Sequence, residues 1–262
     1  KAYLFGFSEE FETSSKKMFL SKIKAASKIN LVAAKALQNL QKYMSGGKKV
    51  RPALTALGYE LAGGKGVRKI MPASFAVELM HNSLIIHDDF VDNDETRRGK
   101  PTMHKVYAGK NGEHYAASMA IIVADVGIFW ANEIFSKLSF SADRIKKALY
   151  SFNHNLLNTG YGELMDIDFD FNPETNYKDI LTVRIYKTAF YTFVMPLLVG
   201  ATLGSGSAKL LKDLEAFGKN VGLAFQLRDD VLGIFGDSEE TGKSNESDIR
   251  EGKKSLLYFK AL

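Results

Sequence analysis

Two pairs of adjacent aspartates stand in apolar surroundings: Asp88-Asp89 inside His87–Asp94, and Asp229-Asp230 inside Phe225–Gly233. Asp88 and Asp92 are four residues apart, which on a helix puts both carboxylates on one face, about 6 Å apart along the axis. Leu84, Ile85, Ile86 and Phe90 surround them, and a carboxylate half-buried among apolar residues needs a partner. The bland alternative is a solvated acidic helix end. Hard oxygen donors without His or Cys suit Mg²⁺, which takes one or two carboxylates and completes its shell with substrate phosphates. If the helices carrying the two pairs face each other, they form a carboxylate-lined mouth, a usual place for a metal site in a helix bundle. The complementary signal is cationic. Gly46-Gly47-Lys48-Lys49-Val50-Arg51-Pro52 leads a glycine loop into a helix start, and Arg97-Arg98 follow the first acidic cluster. Backbone N–H groups, the helix dipole and fixed cations make an anion site, and arginine suits bidentate phosphate contacts. Lys49 taken alone reads as ordinary surface charge. Carboxylates, cations and a glycine loop together point to a Mg²⁺-bridged diphosphate. A P-loop is excluded: Gly242-Lys243-Ser244 has the letters but lacks the earlier glycine, the strand and the helix.

Helices must position these groups, because apolar residues recur at helical spacing almost throughout. Phe19 to Tyr43 reads as one long helix, and Leu54 to Leu61 as a second that starts at Pro52 and ends at Gly63-Gly64. Pro72 to Phe90 is apolar on nearly all sides and so central. Further helices are expected from Asn111-Gly112 to about Leu138, from Ser141 towards Asp170, over Tyr177–Lys187, over Phe190–Leu203 and over Ala208–Phe235. Alternating strand patterns are nearly absent, so the fold class is all-α: one multi-helix domain over 1–262, without internal repeats. Gly236 to Lys254, rich in Gly, Ser and charge, reads as a mobile loop. The 262 residues are 45% hydrophobic and 25% charged, as in a soluble globular protein. The absence of cysteine excludes disulfide scaffolds, zinc-thiolate sites and a thiol nucleophile, and fits a reducing compartment, the cytoplasm. The formal charge of +5 is spread along the chain, with no block of basic residues that would suggest nucleic acid as a partner. The apolar stretch from Ala116 to Trp130, interrupted by Asp125, reads as too short to span a bilayer. No secretory signal opens the chain, and Lys1 in place of Met suggests a trimmed start.

In order along the whole chain, these residues resemble the motif set of the trans-isoprenyl diphosphate synthases, the polyprenyl synthetase family. Gly46 to Pro52 resembles the first basic motif, Asp88-Asp89-Phe90-Val91-Asp92 the first aspartate-rich motif, and Arg97-Arg98-Gly99-Lys100-Pro101-Thr102 its arginine tail. Gly160-Tyr161-Gly162-Glu163-Leu164-Met165-Asp166 is similar to a Gly-Gln-x-x-Asp motif, with Glu163 where glutamine is usual. Lys187-Thr188-Ala189 matches the Lys-Thr motif, and Phe225-Gln226 with Asp229-Asp230 the second aspartate-rich motif, whose third aspartate is replaced by Gly233. Asp248 to Ser255 resembles the loop that follows. The resemblance implies the isoprenoid-synthase bundle with a central cavity, and a sequence that lacks the family's last C-terminal helices.

It also implies head-to-tail condensation of isopentenyl diphosphate with allylic diphosphates. Mg²⁺ would sit on Asp88, Asp92 and Asp229, with Arg97, Lys187 and Lys243 on the allylic diphosphate. Lys48, Arg51, His81 and Arg98 would take isopentenyl diphosphate, with Lys253 closing over it. Thr188 and Gln226 would face the developing allylic cation. A homodimer is implied, with Ala116 to Phe135 as the candidate interface. Small Ser83, five residues before Asp88, and Met80 below it suggest a product near C20, geranylgeranyl diphosphate, with C15 and C25 or longer as alternatives. A class I terpene cyclase and a non-catalytic partner subunit are the competing readings. The second Asp pair and the basic motif count against the first, and the survival of the main motif residues counts against the second.

Overall fold

The computed structural model describes residues 2–109, 111–171 and 176–235. The described residues are all-α apart from one hairpin of two two-residue strands. The helices are α1 (Ala2–Ser27), α2 (Leu31–Met44), α3 (Val50–Leu61), α4 (Val67–Val91), α5 (Met103–Tyr107), α6 (Gly112–Ser136), α7 (Ala142–Phe171), α8 (Tyr177–Val183), α9 (Met195–Leu203) and α10 (Ala208–Phe235). An 11-residue π-helical segment, Arg184–Val194, joins α8 to α9. The single helix expected over Phe19–Tyr43 is two. The chain turns at Lys28–Asn30, and the Asn30 side chain caps α2 by accepting from the Ala33 amide at 2.7 Å. The break expected near Lys187 is absent, because α8, the π segment and α9 run on without a gap.

The chain forms two compact units, Lys1–Leu57 with Lys65–Ile145, and Gly58–Gly64 with Lys146–Leu262. In the first, α4 is the core element, buried around its circumference from Ala73 to Ser83, as its nearly all-round apolar pattern requires. Phe75 of α4, Phe19 of α1 and Trp130 of α6 meet as edge-on ring pairs with centroids 5.0–5.5 Å apart. Helix α6 crosses α4 closely at Gly127, where an added Cβ would run into the Ser83 hydroxyl.

At 25 residues, α6 is long and apolar enough, by length and composition, to cross a membrane, although the apolar stretch read from the sequence covered only Ala116 to Trp130. It is packed here as a core-flanking helix. Ala120, Ala124 and Ala131 are buried, while Asp125 pairs with His87 and Glu133 with Lys22. Its outer face leaves Ile122 and Phe129 57% and 69% exposed.

The second unit is built on glycine contacts. Ala189 of the π segment fills the space a Cβ would need at Gly222 of α10, and Val194 does the same at Gly218. Gly162 of α7 lies directly against the backbone of Tyr186 and Lys187.

Candidate active site

The two acidic motifs are built alike, each inside its own unit. In the first, Asp88 is partly exposed while Asp89 is fully buried. Asp89 Oδ1 accepts from Arg97 Nε at 2.7 Å, and Oδ2 accepts from the Tyr43 hydroxyl. Burial first, and then the Asp89 carboxylate, push the Tyr43 phenol well above its ordinary range, so it stays a donor. Arg97 Nη2 also donates to Asp94 at 3.0 Å and stands 3.9 Å from Asp88. Asp92 caps α4, and its amide bonds to the Asp88 carbonyl at 2.8 Å, which keeps the helical spacing of the two carboxylates. In the second motif Asp229 is exposed and Asp230 is buried. Asp230 Oδ2 accepts from Arg184 Nε at 3.1 Å, and Oδ1 from Gln226 Nε2 at 2.9 Å.

Each pair thus turns one carboxylate inward onto an arginine and keeps the other more exposed. Among the described residues, no three carboxylate or imidazole groups gather that could hold a metal by themselves. The donor set still fits Mg²⁺, which needs only one or two carboxylates when phosphate oxygens supply the rest.

The cations assemble around the glycine loop. Gly46 and Gly47 have φ of 84° and 81°, and Lys49 follows at 50°, so the loop needs left-handed backbone at three positions. The arginine tail forms the β-hairpin, β1 (Thr96–Arg97) with β2 (Lys100–Pro101). The sequence reading had no strand here. The two turn residues, Arg98 and Gly99, both have positive φ, as a type I′ turn requires. This turn lays the Arg98 guanidinium on Gly47, about 3.2 Å from where a Cβ would stand.

Arg51 Nη1 donates to His81 Nε2 at 3.2 Å. Burial, reinforced by the charges of Arg51, Arg98 and Lys49, holds the His81 pKa well below its ordinary value, so the ring is a neutral acceptor. His81 is only 5% exposed and holds Arg51 by this bond, whereas Lys48 is exposed. Lys49 is not the surface charge expected of it. It is buried, and its Nζ reaches Glu78 at 3.1 Å, the Met44 carbonyl at 2.7 Å and Glu12 at 3.4 Å.

In the second unit the Thr188 hydroxyl donates to Gln226 Oε1 at 2.7 Å. The amide of Gln226 is oriented by Asp230 on its other end, so Thr188, Gln226, Asp230 and Arg184 form one hydrogen-bonded chain. Lys187 Nζ donates to Asp166 at 2.6 Å and Glu163 at 3.1 Å.

The sequence reading missed Tyr43 and Arg184. Arg184 had a signal, since it lies three residues before Lys187 in a chain with only eight arginines. Tyr43 had none beyond its place beside the glycine loop. Lys243, Lys253 and the expected mobile loop Gly236–Lys254 lie outside the described residues. Ser83 and Met80 are both buried. The Ser83 hydroxyl donates to the Leu79 carbonyl at 2.9 Å and faces Gly127 of α6, while Leu84 and Ile85, one turn before Asp88, are half-buried.

The sequence profile of the family described as Polyprenyl synthetase matches residues 34–262. The chain belongs to the polyprenyl synthetase family. Two of its relatives are a short chain isoprenyl diphosphate synthase of Methanocaldococcus jannaschii and a geranylgeranyl diphosphate synthase of Methanosarcina mazei. The first is 35% identical over 228 residues, covering 86% of this chain and 66% of that protein. The second is 34% identical over 217 residues, covering 83% and 64%. The chain therefore spans just under two thirds of the length of these polyprenyl synthetase relatives. Among solved structures, geranylgeranyl pyrophosphate synthase from Corynebacterium glutamicum, complexed with isoprenyl diphosphate and magnesium, superposes with a TM-score of 0.89 at 29% identity. That match covers 96% of this chain and 74% of that one. The all-α fold is thus the isoprenoid-synthase fold of the polyprenyl synthetases.

Proposed function

We propose that this polyprenyl synthetase chain carries out the Mg²⁺-dependent condensation of isopentenyl diphosphate with an allylic diphosphate, releasing diphosphate and a product near C20. The observation that carries the reading is the matched construction of the two acidic motifs, each presenting one outward carboxylate beside one locked to an arginine. Asp88, Asp92 and Asp229 are the metal ligands in this reading. Mg²⁺ held there would neutralise charge on the departing diphosphate. Lys187 donates to that diphosphate, while Arg97 first serves to hold Asp89. The oxygens of Thr188 and Gln226 are the dipoles that favour an allylic cation, and their shared chain to Asp230 fixes them before reaction. Lys48, Arg51, His81 and Arg98 take the acceptor diphosphate, with His81 bonded to Arg51. Lys243 and Lys253 complete the two subsites, and the whole of 1–262 acts as one cytoplasmic catalytic domain. The geranylgeranyl names of the relatives support the product length.

An assay of the full-length protein with radiolabelled isopentenyl diphosphate, allylic diphosphates and Mg²⁺ tests this, and no condensation would reject it. Arg98→Ala and Lys48→Ala should each raise the KM for isopentenyl diphosphate about tenfold or more, since a charge-assisted contact is worth roughly 1.5–3 kcal/mol. The KM for the allylic substrate should move much less. The opposite pattern would mean that the two subsites are exchanged.

A homodimer is part of the proposal, with the exposed Ile122 and Phe129 face of α6 as the contact. Light scattering on the full-length protein should return twice the chain mass, and Phe129→Lys should shift that mass towards the monomer. A wild-type protein of monomer mass would remove the dimer.

A further inference from the structure

Glu163 and Asp166, three residues apart on one face of α7, both accept from Lys187 Nζ. Arg184 is shared between Asp230 at 3.1 Å and Asp166 at 3.8 Å. Among the described residues these contacts join three carboxylates, Glu163, Asp166 and Asp230, to two cations, Lys187 and Arg184. Glu163 is the more distant of the two carboxylates on Lys187, at 3.1 Å against 2.6 Å for Asp166. It is also half-exposed: the side chains of Glu163 and Lys187 retain 31% and 24% of their accessible surface. A pair this wet contributes little to folding. Its effect on a ligand is a different matter, because an anion approaching Lys187 meets a negative charge about 3 Å from the group it must bind.

We propose that Glu163 is a positioning residue that competes with a diphosphate for Lys187, so that binding requires Lys187 to exchange the Glu163 carboxylate for a diphosphate oxygen. The inference rests on the reading of Lys187 as a diphosphate ligand. Glu163 holds the ammonium group in place in the free protein and weakens the anion's hold on it.

Glutamine at 163 keeps an oxygen acceptor for Lys187 and removes the charge, so Glu163→Gln separates the two effects. Inorganic diphosphate should be titrated calorimetrically, with Mg²⁺ present, into wild type, Glu163→Gln, Lys187→Met and the double variant. Glu163→Gln should bind inorganic diphosphate about three- to tenfold more tightly than wild type, the range expected for removing one partly screened charge. It should lower the KM for the allylic diphosphate in the same sense, with a smaller change in kcat. In the Lys187→Met background the same substitution should alter affinity by less than about twofold.

Unchanged or weaker binding by Glu163→Gln would overturn the proposal. So would an equal gain in the Lys187→Met background, which would mean that the charge acts on the ligand without Lys187. Thermal midpoints measured on all four proteins register any loss of fold. A wild type that binds no diphosphate and forms no prenyl product would remove the functional reading and this proposal with it. A competent wild type with an unresponsive Glu163→Gln would remove this proposal alone.

Discussion

Asp88→Ala should reduce condensation by at least about a thousandfold while leaving the fold intact. Loss of one preorganised electrostatic group costs about 10²–10³ in rate, and a lost metal ligand also withdraws part of the ion's hold on the diphosphate. Alanine is the best helix former, and the Asp88 side chain is partly exposed, so the helix has no reason to melt. The neighbouring Asp89→Ala makes the contrast. It strips a fully buried carboxylate from Arg97 and Tyr43 and should cost about 3–5 kcal/mol of stability, the penalty for breaking a buried ion pair from one side. Product formation at limiting and saturating Mg²⁺, with thermal unfolding in parallel, separates the two. Near-normal turnover by Asp88→Ala would refute its assignment as a ligand.

Gly162→Ala should destabilise the protein and displace Lys187, whereas Gly160→Ala, two residues earlier on the same helix, should be neutral or stabilising. Both exchanges gain about 1 kcal/mol of helix propensity. At Gly160 nothing lies within 4 Å of the new methyl group, so that gain is kept. At Gly162 the methyl group would lie 2.6 Å from the Tyr186 carbonyl carbon and 2.7 Å from Lys187 Cα, and both are backbone atoms that cannot rotate away. Overpacking of this kind costs about 1–3 kcal/mol or more and outweighs the propensity gain. The π segment would have to move, taking Lys187 and Thr188 with it. Thermal unfolding should therefore give opposite or clearly separated shifts for the two variants, and kcat should fall only for Gly162→Ala. Equal behaviour would mean that α7 does not pack on the π segment as described.

The helices were legible where one period of 3.6 residues ran unbroken. The start of α10 at Ala208 coincides with the one read from the sequence, and α4 is buried on nearly all sides as its apolar pattern requires. Legibility failed where another local interaction overrode that period. The Asn30 cap splits the first helix, although apolar residues continue on both sides of it. The π segment adds a residue per turn, so a 3.6-residue template loses its phase there and suggests a break. The hairpin at Thr96–Pro101 is too short for alternation to register and is specified by its turn.

In the site, residue types and spacing named both acidic motifs and the glycine loop. They did not tell which aspartate of each pair turns inward. That depends on Arg97 and Arg184, the second of which reaches Asp230 from 46 positions away. Lys49 likewise owes its burial to Glu78, a residue 29 positions distant, and no local pattern encodes that pairing.

The π segment has a consequence for how this chain tolerates changes in length. In an α-helix, deleting one residue rotates everything beyond it by about 100° and sends an apolar face into solvent. Within Arg184–Val194 the backbone already holds slack relative to an α-helix. A one-residue deletion there can be absorbed by reverting a turn to α-helical hydrogen bonding, so that Met195 and the rest of α9 keep their facing. One-residue deletions should therefore be tolerated better beyond Thr188 in this segment, where Lys187 and Thr188 keep their places, than in α4.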